Sequence, residues 1–211
     1  MSIGSSVRRM FGRYERPISD LWRAGFIDLD HFFAQLRSCV PSASRILEIG
    51  CGEGAGTGRL ARAYPDASIL AIDIAPNLGR LYRGPEGNVS FRQVAVTDLV
   101  KTDAERFDLI VMCDVLHHIP PQLRPDIIAA ARKLLAPGGS FLFKDWERRS
   151  TPIHWIAFAA DRWLTGDRVQ FVTEGEAGAL LASQFDAAGA KASFRVRPWR
   201  NNFALLMKAA A

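Results

Sequence analysis

The chain has 211 residues, 48% of them hydrophobic and 23% charged, with a formal net charge of +5. That is long enough for one domain with a sizeable core, and it excludes a disordered or fibrous chain. No apolar run is long enough to span a bilayer, and no repeat or low-complexity linker interrupts the sequence.

Three cysteines, Cys39, Cys51 and Cys113, lie far apart and form no C-x-x-C pair. This usage points to a reduced, cytoplasmic setting. The N-terminal arginines are followed by no continuous apolar segment, so no secretory signal is expected. Positive charge is spread along the chain, which permits an anionic partner but indicates no nucleic acid.

Residues 1–40 read as an N-terminal helical cap. Val7, Met10, Phe11 and Tyr14 recur at helical spacing, with Arg8, Arg9, Arg13 and Arg16 mostly on the other side. A second short pattern, Ile18, Leu21, Trp22, Gly25 and Phe26, follows Pro17, and a third helix is expected from Asp28 through Leu36. These helices either pack on the domain edge or form a lid over a site. A basic amphipathic helix also suits transient contact with a membrane surface or an acidic carrier protein.

The stretch Arg45–Leu60, RILEIGCGEGAGTGRL, reads as a buried strand, a glycine turn and a helix start. Glycines admit positive φ and let a ligand approach without meeting a Cβ. Two cofactors compete for this turn. Gly50 to Ala55 fits the G-x-G-x-x-G/A dinucleotide pattern. Glu48, two residues earlier, opposes a pyrophosphate and suits a cofactor with a cationic end. A glycine turn with no ligand is the plain alternative.

Strands and helices then alternate. Ser68–Ile72, Val89–Val94, Phe107–Met112 and Ser140–Phe143 read as strands, with helical stretches near Leu60, Leu78 and Ile127. This order predicts a mostly parallel sheet with helices on both faces, and chemistry just beyond the strand ends. Asp73 closes the second strand, 23 residues after Gly50. That is close to the ~20 expected for an acid that accepts from ribose hydroxyls. Its other reading is a cap for a helix after Pro76.

Three strings carry a family resemblance: Glu48-Ile49-Gly50-Cys51-Gly52-Glu53-Gly54; Phe107-Asp108-Leu109-Ile110-Val111 leading to Leu116-His117-His118-Ile119; and Leu134-Leu135-Ala136-Pro137-Gly138-Gly139-Ser140. With Asp73, they make residues 45–145 resemble the class I S-adenosylmethionine-dependent methyltransferases, of the small-molecule type. The resemblance implies a Rossmann-like, doubly wound sheet of seven strands, mostly parallel with an antiparallel last strand. Ala192–Val196 and Asn202–Met207 supply the final pair. The whole chain is then one methyltransferase domain: a helical cap over 1–40, a cofactor core over 45–145, a substrate-side insert over 146–175, and the last helix and strand pair over 176–211.

The resemblance also implies S-adenosyl-L-methionine as cofactor and S-adenosyl-L-homocysteine as product. Expected cofactor contacts are Glu48, Gly50, Cys51, Gly52, Gly54, Asp73 and Ile74. Val96, Thr97 and Asp98 are expected near the adenine, although the acid usual there would stand nearer Ala95. Asp98 has the alternative of capping the next helix. Cys113 and Asp114 are expected at the methionine end.

A hydroxyl acceptor calls for a general base. His118, His117 and Asp145 are the candidates for catalysis, and histidine titrates in the right range. Lys144, Trp146, His154 and Trp155 are candidates for the acceptor side. No carboxylate–histidine set has metal-binding spacing, so no metal is expected. Residues 146–175 depart most from the common core; Pro152–Leu164 reads as an aromatic-rich helix and Thr173–Ala188 as the last one. The acceptor is expected to be small or lipid-like, with O-methylation preferred over C- or N-methylation. A nicotinamide-dependent oxidoreductase and a non-catalytic cofactor-binding protein are the rivals.

Overall fold

Strand β1 (Arg45–Ile49) is buried along all but its first residue. Strands β2 (Ser68–Asp73) and β4 (Phe107–Cys113) flank it, both parallel to it. Strands covered on both faces have no solvent side to alternate with, so they read as near-continuous apolar runs.

The computed structural model describes residues 24–85, 87–102, 105–159, 169–185 and 192–210. Within them, β3 (Val89–Gln93), β5 (Leu135–Trp146), β6 (Ala192–Arg195) and β7 (Asn202–Lys208) complete a seven-stranded sheet. The order is β3-β2-β1-β4-β5-β7-β6. Strand β7 runs antiparallel to both its neighbours, and the other pairings are parallel.

Among the described residues, six α-helices cover the sheet: α1 (Leu29–Cys39), α2 (Thr57–Ala63), α3 (Val96–Thr102), α4 (Arg124–Leu134), α5 (Pro152–Ala159) and α6 (Glu174–Ala182). Alternation along β1 divides the core. Leu47 and Ile49 pack with residues of α3, α4 and α6, while Ile46 packs with residues of α1 and α2. Helix starts follow local chemistry. Asp28 accepts a hydrogen bond from the His31 N–H at 2.9 Å to cap α1. Thr173 and Glu176 form a reciprocal capping box on α6.

Four local expectations change. The stretch near Leu78 is a series of turns, because Gly79 takes a φ of 63° against the Phe91 ring and no helix passes through that conformation. Asp73 therefore caps no helix; one carboxylate oxygen accepts from the Ala75 N–H at 2.9 Å. Pro137-Gly138-Gly139 lies inside β5, where a register shift opposite Phe107–Leu109 absorbs it. Asp98 sits inside the first turn of α3, so it is not the cap.

The cap falls mostly on residues 1–23, outside the described residues, as do 160–164 and 186–188 of the expected later helices. Ala24–Asp28 are described, and they are tied to the edge where β5 ends. Trp199 Nε1 donates to the Gly25 carbonyl at 2.6 Å and Asn202 Nδ2 to the Phe26 carbonyl at 2.6 Å. The Asp28 N–H donates to the Arg197 carbonyl at 2.7 Å. Among the described residues, no helix is long and apolar enough to cross a membrane.

Candidate active site

The turn after β1 sets the first half of the site. Gly50, Gly52 and Gly54 have φ of 80°, 50° and 86°, which L side chains rarely adopt. A Cβ on Gly50 would strike Val115 at 2.1 Å, whereas one on Gly52 would meet nothing within 4 Å. The turn thus packs at Gly50 and opens at Gly52. Asp73 braces it from β2, accepting from the Gly52 N–H at 2.8 Å. Each carboxylate oxygen keeps further acceptor capacity.

Glu48 lies buried beneath this turn. Its Oε2 has no hydrogen-bond partner among the described residues, and neither has the buried hydroxyl of Thr57. Burial pushes the Glu48 carboxyl up to about 7; Thr57 pulls it down and the charge of Asp73 adds to the rise. A buried carboxyl oxygen left unpaired is costly unless a donor reaches it. Cys51 is buried in the same turn and its thiol is pushed up, chiefly by burial, then by Glu48 and Asp73. It is a packing thiol, far from the thiolate form that reacts.

Beyond β2, Ile74 is 74% exposed, an apolar side chain standing at the rim. Beyond β3, Val96 is packed into the core, Thr97 is half-buried and Asp98 is exposed. The Asp98 carboxylate pairs with Lys101 at 2.8 Å.

The ends of β4 and β5 form the second half. Lys144 and Asp145 leave β5 in succession and both reach the loop after β4. Lys144 Nζ stands 2.7 Å from each oxygen of Asp114. Asp145 is fully buried and accepts from His117 Nδ1 at 2.5 Å, from the His117 N–H at 3.2 Å and from the Trp146 N–H at 2.7 Å. Burial pushes Asp145 up, but the His117 charge and hydrogen bond, the Trp146 N–H and Lys144 together hold it below the ordinary carboxylate range. With Asp145 ionised, the contact assigns the proton between the two side chains to Nδ1 of His117. His118 is exposed, its ring 4.1 Å from that of His117. Cys113, by contrast, is a thiol pushed up by burial.

Folding also brings together what linear spacing hid. Asp114, His117 and Asp145 offer ligand atoms that all lie within 4.8 Å of one another.

An aromatic wall continues outward. The ring of Phe171 stacks on His117 at 4.8 Å and meets His154 edge-on at 5.3 Å. Trp146 Nε1 donates to His154 Nδ1 at 3.2 Å. Burial, then Arg148, lowers the His154 pKa, which favours this neutral acceptor form. Trp146 and His154 are buried, while Trp155 is 62% exposed on α5.

Phe171 and Arg124 were missed in the sequence. Arg124 donates to the carbonyls of Ile119 at 2.9 Å and Gln170 at 2.7 Å, and the Gln170 N–H donates to the His117 carbonyl at 2.8 Å. These bonds buckle the stretch after β4 to Val169–Val172. Only the apolar cluster Val169, Phe171 and Val172, between polar residues, could have signalled it.

Residues 47–141 match a family profile described as a methyltransferase domain. The ubiquinone biosynthesis O-methyltransferase of Xylella fastidiosa (strain 9a5c) is 30% identical over 171 residues, covering 76% of this chain and 68% of that protein. The enzyme of the same name from Xanthomonas axonopodis pv. citri is 29% identical over 186 residues, covering 83% and 74%. In fold, the chain is similar to the N-methyltransferase NodS from Bradyrhizobium japonicum WM9, solved in complex with S-adenosyl-L-homocysteine. That match has a TM-score of 0.66 at 20% identity and covers 100% of both chains. The glycine turn, the strand order and these matches converge: the chain belongs to the class I S-adenosylmethionine-dependent methyltransferases.

Proposed function

We propose that this enzyme methylates an oxygen of a small, hydroxylated, lipid-like molecule, with His117 as the proton acceptor. The observation that carries the reading is the buried Asp145–His117 pair at the exit of β4. The relatives named as O-methyltransferases of ubiquinone biosynthesis point to the same acceptor class.

S-adenosylmethionine fits the first half of the site. Its ammonium would give Glu48 Oε2 the donor it lacks, and Gly52 leaves room for approach. Asp73 would accept from the ribose hydroxyls, with Gly50, Cys51 and Gly54 forming the turn beside them. Ile74, Thr97 and Val96 would flank the adenine. Asp114 and the backbone at Cys113 would border the methionine end. A pyrophosphate would meet the Glu48 carboxyl instead, which weighs against a nicotinamide cofactor.

When bound, the cofactor would supply a methyl group already activated by a positively charged sulfonium. The chain's own residues orient and deprotonate. Asp145 fixes the His117 ring and favours its protonated form. His117 Nε2 takes the hydroxyl proton as the O–C bond forms. Trp146, His154, Phe171 and Trp155 wall the acceptor side, and Lys144 keeps Asp114 in place. In this reading the cap, residues 1–23 outside the described residues, serves as a lid that continues from the Ala24–Asp28 strap. Contact of its basic face with a membrane surface or acidic carrier is secondary to that role.

The test is product analysis with catechols and other hydroxylated acceptors, beside His117→Ala. The variant should lose about 100-fold or more in kcat while its affinity for S-adenosylmethionine holds. Equal loss in both would assign His117 to structure, and an N- or C-methylated product would overturn the O-methyl reading.

A further inference from the structure

Lys144 is 1% exposed, a depth at which lysine is rare unless paired. Its ammonium binds both oxygens of Asp114 at 2.7 Å, and its carbonyl accepts from the Asp114 N–H at 2.9 Å. Side chain and backbone of one residue thus grip both ends of another. Asp114 needs the grip: its φ is 55°, the one positive φ at a non-glycine position among the described residues.

Asp114 is also one corner of the Asp114–His117–Asp145 cluster, whose ligand atoms lie within 4.8 Å of one another. Two carboxylates and an imidazole are donors that Mg²⁺, Mn²⁺ or Zn²⁺ accept. Ligands at ~2.0–2.2 Å from such an ion stand roughly 3–4 Å apart. A small closure would therefore make the cluster a divalent site. What stands against that is the charge already present. The two carboxylates and the one ammonium sum to −1; without Lys144 the carboxylates alone sum to −2. The ammonium also acts on the second carboxylate, helping to hold Asp145 ionised.

We infer that Lys144 is a resident cation: its ammonium takes the electrostatic place of a divalent ion at the Asp114–His117–Asp145 cluster and keeps such ions out. Lys144 is thereby a positioning residue that holds Asp114 turned toward the methionine end. Its part in turnover rests on the methyl-transfer reading above, whereas its exclusion of metal does not.

The experiment is titration of the full chain with Mn²⁺, free ion read by electron paramagnetic resonance. Wild type, Lys144→Ala, Lys144→Gln and Lys144→Arg are compared, with folding checked by circular dichroism. Lys144→Ala and Lys144→Gln should each bind one ion per chain, at least about 10-fold tighter than wild type. Adding Asp114→Asn should abolish that gain, and Lys144→Arg should behave as wild type. Mn²⁺ binding by wild type as tight as by the variants would overturn the inference. So would folded variants that gain no site, or failure of both neutral variants to fold, which would make Lys144 a core residue only. No acceptor is used, so a failed methyl-transfer assay leaves this result standing.

Discussion

Glu48 carries the clearest residue-level consequence. Its carboxyl is raised from 4.5 to about 7 by burial. Between those values the folded chain holds a proton that the unfolded chain has lost. Stability without cofactor therefore falls as pH rises through that window, by about 3 kcal/mol in all. Glu48→Gln removes the penalty without changing shape. The variant should melt higher than wild type at pH 8 and about equally at pH 5, yet bind S-adenosylmethionine more weakly. Melting curves at the two pH values, with a cofactor titration, check both halves. A variant with the wild-type pH slope would show that Glu48 ionises normally in the fold. A carboxylate before the glycines was visible in the sequence; its unpaired oxygen was not, because burial depends on α2 lying across the turn.

At the scale of elements, the strands were legible and their side-chain partners were not. Runs such as Leu109–Met112, and Ile46–Ile49 apart from Glu48, are apolar because helices cover both faces, and that leaves a direct trace in composition. The Lys144–Asp114 and Asp145–His117 pairs join residues 30 and 28 positions apart. Only the register of β4 on β5 brings them together. Phe171 was hidden for a similar reason, since its partners come from the loop after β4 and from α5. Helix α5 gives an element-level prediction. Trp155 is 62% and Ile156 54% exposed on it, so neither supports the core. Trp155→Ser and Ile156→Ser should leave stability within about 0.5 kcal/mol. If this helix faces the acceptor, KM for the acceptor should rise severalfold while cofactor affinity holds. Steady-state kinetics check it, and an unchanged KM would remove α5 from the acceptor site.

Across the whole molecule, the sheet's directions sort its functions. Strands β1, β2, β4 and β5 all deliver their last residues to one edge. Strand β7 begins there, with Asn202 paired to Trp146. The strap Ala24–Asp28 is fastened to that same edge through Trp199, Asn202 and Arg197. Deleting residues 1–16 should therefore lower acceptor turnover while leaving cofactor affinity near wild type, as kinetics and calorimetry would show. Full activity on a soluble acceptor would make the cap a docking element instead of a lid.

The antiparallel course of β7 has a practical side. It carries the chain away from the reaction edge to Lys208, opposite Ser140, which pairs with Leu109 near the start of β4. There Ala209 and Ala210 are stitched to Gly139 and Gly138. An affinity handle or reporter dye fused beyond Ala210 would hang on the side remote from the cofactor. One fused next to the strap would sit at the edge that carries Trp146 and Asn202, so immobilisation through β7 is the orientation that keeps the mouth open.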